Sequence, residues 1–131
     1  MDRAAHERKV ERLRAALAAS GPLRSGTLGL RKSTSNLFRD RTAARPRIDL
    51  HGFDEVVALD AGSGIVEAEG MTTYERLADA LLASGRMPQV VPQLRSITLG
   101  GALAGVGIEA SSFRHGLVHE TIADFDVLTG D

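Results

Sequence analysis

The sequence predicts an α+β domain, small sheets flanked by helices, and three stretches carry that prediction. Glu55–Leu59 and Ile65–Glu69 are alternating or β-branched runs joined by Asp60-Ala-Gly-Ser-Gly64, which specifies a β-hairpin with turn-forming glycines. Tyr74, Leu77, Ala78, Leu81 and Leu82 fall at i, i+3, i+4, i+7 and i+8, the apolar face of a helix that packs on a sheet. Ser96–Gly116 then holds five glycines, Gly100, Gly101, Gly105, Gly107 and Gly116, with small residues between them. Glycine costs backbone entropy and is used where chain comes close to something or takes φ > 0.

In chain order, Asp2–Ser20 reads as an amphipathic helix with Val10, Leu13 and Leu17 on a narrow stripe, stopped by Gly21-Pro22. Residues 1–22 form a helical leader, and 23–131 form the main domain. Ser25–Leu30 is a short strand weakened by Gly26 and Gly29. Arg31–Asn36 follows with two cations, three hydroxyls and an amide, the donors a phosphate needs and equally the make-up of a solvated loop. Arg39–Pro46 is loop, and Ile48–Leu50 is a short apolar strand. Thr72-x-x-Glu75 is a capping box ahead of the amphipathic helix, and Gly85 is its stop. Met87–Val91 is predicted as a buried strand bracketed by Pro88 and Pro92, and Ile122–Thr129 as another strand. Gly130-Asp131 starts a turn, so the chain is expected to be the N-terminal part of something longer.

At 131 residues, one domain with a real core is expected. The absence of cysteine excludes disulfides, thiolate metal sites and a cysteine nucleophile. No apolar run approaches the ~18 residues of a membrane span, and the charged start is not signal-like, so the cytoplasm is the default location. Net charge is −1 but unevenly spread. Residues 1–47 carry twelve Lys/Arg against four Asp/Glu, and residues 48–131 carry four against thirteen. The basic front is either a solvated face or a surface that meets something anionic. Phe38, Phe53, Tyr74, Phe113 and Phe125 are too sparse for a base-stacking platform, so nucleic acid is not expected. No His, Asp or Glu spacing suggests a metal site.

Three readings of the glycines compete. Gly105-Val-Gly107-Ile-Glu-Ala110 matches G-x-G-x-x-A, but what precedes it is Gly-rich chain and not a strand running into the first glycine. A tight packing seam without ligand accounts for the small residues, though not for Ser111, Ser112, Arg114 and His115 that follow. A helix capped by Thr98 would leave the N–H groups of Leu99 to Ala102 unpaired and facing outward, an anion site that Gly100 and Gly101 keep open.

Pro88-x-x-Val-Pro92, Ile97-Thr-Leu-Gly-Gly-Ala102, Gly105-x-Gly107 and Ser112-x-x-x-Gly116 together resemble the FAD-binding domain of the vanillyl-alcohol-oxidase (PCMH) type. Within that family, Gly105-Val-Gly-Ile-Glu-Ala-Ser-Ser112 is most similar to the Δ24-sterol reductases, with decaprenylphosphoryl-ribose oxidases more distant. The likeness spans roughly residues 25–131 and departs from the family at 31–36, where Arg-Lys-Ser-Thr-Ser-Asn replaces a glycine-rich pyrophosphate loop. It implies that Ser33, Thr34 and Ser35 contact pyrophosphate from one side, and Thr98, Gly100 and Gly101 from the other. Gly105, Gly107, Ser112 and Gly116 would line the flavin and ribityl path, with Ile122 near the adenine end. Some members attach flavin through a histidine in the first loop; residues 31–36 contain none, so non-covalent FAD is implied. His51, His115 and His119 are read as structural or surface residues.

The implied chemistry is flavin hydride transfer. The reductase likeness implies reduction of a C=C bond in a sterol-like or isoprenoid lipid, with NADPH as electron donor and the parent protein membrane-associated. No residue here is assigned as the general acid. The substrate domain and remaining flavin-domain strands would lie further C-terminal, leaving this chain alone inactive. Two alternatives stay open: an FAD-linked oxidase acting on a CH–OH group of a sugar or alcohol, and a nucleotide-binding or interaction module without turnover.

Overall fold

The computed structural model describes residues 2–20, 28–33 and 47–129. Helix α1 spans Arg3–Ala19, with the Asp2 carboxylate accepting from the Ala4 N–H at 3.0 Å as its cap. None of its residues is buried, in keeping with its narrow stripe. Strands β1 (Gly29–Arg31) and β2 (Arg47–Asp49) pair in parallel with Leu30 opposite Ile48. The predicted strand 25–30 is thus observed only at its end, since residues 25–27 lie outside the described ones.

Strands β3 (Val56–Asp60) and β4 (Ile65–Ala68) form the predicted antiparallel hairpin. Asp60 builds its turn by accepting from the Gly62 N–H at 2.8 Å and the Ser63 hydroxyl at 2.6 Å, and Gly64 takes φ +75° there. The register shifts between Val56 and Ala58, a bulge that leaves Val57 without a cross-strand partner.

Helix α2 (Tyr74–Leu82) buries Tyr74, Leu77 and Leu81. With Val90, Ala102 and Val118 these form the core, to which Val56, Leu59, Val66, Ala68, Ile97 and Leu99 add their flanks. Leu82, predicted on the same face, is 56% exposed. The helix ends as Gly85 dictates: Gly85 has φ +69° and donates to the Leu82 carbonyl, while the Arg86 N–H reaches back to Leu81.

Three expectations are corrected. The capping box does not form, because Thr73 rather than Thr72 caps α2, accepting from the Arg76 N–H. Thr72 is fully buried and its hydroxyl donates to the Glu55 carbonyl at 3.0 Å, a partner seventeen residues away. Met87–Val91 is not a strand: Pro88 and Pro92 remove N–H donors at both ends, and only Val90 is inserted into the core. Ile122–Thr129 runs without a ladder partner among the described residues, leaving Phe125 and Val127 more than 60% exposed.

Candidate functional site

Helix α3 (Leu99–Ala104) begins at Thr98, as predicted, with the Thr98 hydroxyl accepting from the Gly101 N–H at 3.2 Å. Its first N–H groups are not free, which corrects the expectation of an open helix start. Leu99 donates to the Thr72 carbonyl and Gly100 to the Gly70 carbonyl, each at 2.8 Å. Ala102 donates back to Thr98 at 2.9 Å. The start of α2 is closed in the same way, by Tyr74 to the Ile97 carbonyl and Glu75 to Arg95. The two helix starts therefore satisfy each other's orphan donors through neighbouring backbone. Thr98 is 4% exposed, and a Cβ on Gly100 would stand 2.9 Å from the Gly70 carbonyl oxygen. Gly100 is a close-approach glycine for the fold.

Beyond Gly100 the stretch turns outward. Gly101, Ala104, Gly105 and Ala110 are exposed, and so are Val106, Ile108 (71%) and Phe113 (91%). The N–H groups of Ile108 and Ala110 have no partner among the described residues. Gly107 donates to Ala102 and accepts from Val118, so the helix end is tied to the 3₁₀ turn Val118–Thr121. A Cβ on Gly107 would meet Val118, which is fully buried, at 2.9 Å. The short helix α4 (Ser112–His115) is fixed at its start by the Ser112 hydroxyl, which accepts from the Glu109 N–H at 3.0 Å. Gly116 ends it with φ +77°, and the Glu120 carboxylate accepts from the Leu117 N–H beside it. Ile122 is half-buried at the close of the 3₁₀ turn.

Beside this wall lies a cleft of about 430 Å³ lined by Gln93, Leu94, Ile97, Ile108, Glu109 and Ala110. Burial, and then the charge of Glu109, push the Tyr74 hydroxyl above its ordinary value. Residues 98–122 thus bring together Thr98, Gly100, Gly101, Gly105, Gly107, Ser112, Gly116 and Ile122 in one continuous unit. Ser33 is exposed after β1, in the other sheet, and Thr34 and Ser35 lie outside the described residues. Among the described residues, no three His, Asp or Glu side chains converge as metal ligands, and no helix is long and apolar enough to cross a membrane.

One cluster was not legible in advance. The Glu69 side chain is fully buried at the end of the hairpin. It accepts from His6 Nδ1 at 2.9 Å, from Lys9 Nζ at 3.0 Å and from the Glu55 N–H at 3.0 Å. Burial pushes its carboxyl up, but hydrogen bonds from His6, the Glu55 N–H and Lys9 outweigh that and hold it below the ordinary value. Lys9 also donates to the Gly52 carbonyl and sits 5.9 Å from the Phe53 ring centroid, and Arg3 pairs with Glu67. Part of the basic front therefore meets the chain's own acidic half. Further along, Asp49 accepts from the His51 N–H, the His51 ring and Arg31, which lower its pKa to about 2.

The exposed small residues and free N–H donors fit the flat face of a flavin, whose ring carries hydrogen-bond acceptors at its edge. They do not offer α3's amide groups to a phosphate. Comparison with known proteins agrees on the ligand. The family described as FAD binding domain matches residues 25–131. A Δ24-sterol reductase homolog of Caenorhabditis elegans is 30% identical over 77 residues, 59% of this chain and 15% of its own length. The Δ24-sterol reductase of Pisum sativum is 27% identical over 84 residues, 64% of this chain and 15% of its own. Cytokinin dehydrogenase 1 of Oryza sativa is 28% identical over 74 residues, 56% of this chain and 14% of its own. The chain spans about 15% of the length of the reductases it matches, and no solved structure matches. With residues 25–131 matched and α1 lying ahead of them, the chain belongs to the FAD-binding domain family of the vanillyl-alcohol-oxidase (PCMH) type.

Proposed function

We propose that this chain supplies one wall of the FAD site of a flavin-dependent oxidoreductase, and that the wall is the outward face of residues 101–116. The observation that carries this is the exposed run of Gly101, Ala104, Gly105 and Ala110 beside unpaired N–H groups in the family-matched stretch. Gly101 and Gly105 let the ring lie against backbone, and the Ile108 and Ala110 N–H groups hydrogen-bond its polar edge. Thr98, Gly100 and Gly107 hold that surface in place from behind. Ser112 and Gly116 carry the wall toward the ribityl path, and Ile122 toward the adenine. Since α3's amides are occupied, the pyrophosphate charge falls to Ser33, Thr34 and Ser35 with Lys32 beside them, and FAD is held without a covalent bond.

Bound FAD supplies hydride transfer, and the chain's residues supply binding and orientation. The reductase likeness supports reduction of a C=C bond in a sterol-like or isoprenoid lipid, with NADPH as donor and a C-terminal domain holding the substrate. We place it in the cytoplasm, with the parent protein at a membrane surface. A second reading is an FAD-linked oxidation of a CH–OH group in a sugar or alcohol, for which the likeness to a dehydrogenase supports the oxidative direction alone. Anaerobic spectroscopy of the FAD-loaded parent polypeptide separates these. NADPH should bleach the flavin band at about 450 nm, and a Δ24-unsaturated sterol should restore it. Bleaching by an alcohol or sugar instead supports the oxidase, and a band that responds to neither supports a binding module without turnover.

A further inference from the structure

Pairing inside the molecule accounts for only part of the basic front. Lys9, Arg12, Leu13 and Ala16 fall at i, i+3, i+4 and i+7 of α1, one face of that helix. Asp49 at the end of β2 and His51, Gly52 and Phe53 after it stand opposite, and the eight residues line a cleft of about 260 Å³. None of them belongs to residues 98–122, so the cleft is separate from the glycine wall.

Two of the charges lining this cleft are already matched. Lys9 pairs with the buried Glu69 carboxylate, donating to both of its oxygens and also to the Gly52 carbonyl, so its three donors are used. Asp49 pairs with Arg31, which donates to Oδ2 at 2.5 Å. Arg12 is exposed and has no hydrogen bond or ion pair with any described residue, so its charge is uncompensated there. His51 is fixed nearby: Asp49 Oδ1 accepts from its backbone N–H at 2.9 Å and from its ring Nδ1 at 2.5 Å. An ionised carboxylate only accepts, so Nδ1 carries the hydrogen, and Nε2 has no partner among the described residues. The ties from Lys9 to Gly52 and from Asp49 to His51 hold both sides of the cleft in place without a ligand. Leu13, Ala16 and Phe53 add apolar wall. Apolar lining with a few convergent polar groups is how small-ligand sites are built.

We propose that the cleft between α1 and the end of β2 binds a small phosphate monoester, with Arg12 and His51 Nε2 on the phosphate and Leu13, Ala16 and Phe53 against the ligand's apolar body. The arginine fork matches phosphate oxygens. Phosphate also suits His51 in either state: protonated, Nε2 donates to an anionic oxygen, and neutral, it accepts from a P–OH. A phosphate monoester offers both, because its second pKa is about 6. A carboxylate offers only the first. The site is independent of the flavin reading, and it gives the basic front an anionic partner beyond the chain's own acidic residues.

Phenyl phosphate titrated into the parent polypeptide tests this, with the ring signals of the histidines followed by NMR and that of His51 assigned by its loss in His51→Gln. The His51 signal should move saturably, with a Kd on the order of 1 mM for so small a ligand. Inorganic phosphate, which lacks the apolar body, should bind about tenfold more weakly. Arg12→Ala should weaken phenyl phosphate about tenfold, the scale of one charge-assisted contact. Its Tm should change by less than about 2 °C, because the position is exposed and alanine favours helix. Arg14→Ala, exposed on the same helix but outside the cleft lining, should bind as the unaltered protein does. A His51 signal that stays still at saturating phenyl phosphate overturns the site. An equal loss in Arg14→Ala and Arg12→Ala also overturns it, since diffuse attraction to a basic helix would then explain the binding. Phenylacetate binding as tightly as phenyl phosphate overturns the choice of phosphate.

Discussion

Glu69→Ala is expected to lower Tm by about 10 °C, on the order of 3 kcal/mol, because it dismantles the buried cluster that attaches α1. The helix buries no residue of its own, so its hold on the domain is chiefly polar. Lys9, 16% exposed at its side chain, would lose its carboxylate, and the Glu55 N–H would lose its acceptor. Removing one member of a buried ion pair leaves the other charge uncompensated, which is why the effect exceeds that of a surface pair such as Arg95 with Glu75. Trypsin should then cut rapidly within α1 at Arg8 and Arg12, while circular dichroism retains the signal of the remaining helices. The same cluster sets an acid limit. Glu69 ionises more readily folded than unfolded, so its contribution is complete above the ordinary glutamate value of about 4.3. It fades as pH falls through the lower folded value, and the Tm gap between the unaltered protein and Glu69→Ala should close there. A gap that persists unchanged in acid would refute the role of the ionised carboxylate.

Gly101→Val should abolish FAD retention, at least a hundredfold in affinity or about 2.7 kcal/mol, while leaving the hairpin and α2 folded. A Cβ at Gly101 stands 2.8 Å from the Thr98 hydroxyl oxygen, so the cap must turn away, costing about 1 kcal/mol. The two added methyls then project from an exposed position onto the wall. Gly100→Ala behaves differently, since its Cβ meets the Gly70 backbone and breaks the Gly100-to-Gly70 hydrogen bond. That neighbour cannot rotate aside, so the loss there is one of folding. Equilibrium dialysis and thermal melts on both variants separate the two outcomes. Flavin bound normally by a folded Gly101→Val protein would move the site off this wall.

What could be read in advance was local. The hairpin's Asp60–Gly64 turn, the 3.6-residue rhythm of α2, its Gly85 stop and the Thr98 cap each depend on residues within a few positions of one another. The failures were long-range. Thr72 and Thr73 are interchangeable as caps until the Glu55 carbonyl claims the Thr72 hydroxyl. Amides at the start of α3 look free until Gly70 and Thr72 supply carbonyls from nearly thirty residues upstream. Glu69 looks like the end of a strand, and its partners His6 and Lys9 come from the far end of the chain. Val106 was hidden differently: with glycine on each side, nothing marked the residue between them as the one in the left-handed turn. The candidate site was found by its composition, but its orientation needed the backbone, which turns the useful surface from the start of α3 to its outer face and end.

The most direct measurement is FAD binding by the unaltered parent polypeptide, read as a visible spectrum after free cofactor has been removed. With the flavin wall in place the protein should be yellow, with a band at about 450 nm that is released on denaturation because no covalent bond holds the cofactor. A folded, monodisperse protein that stays colourless after incubation with excess FAD would contradict this.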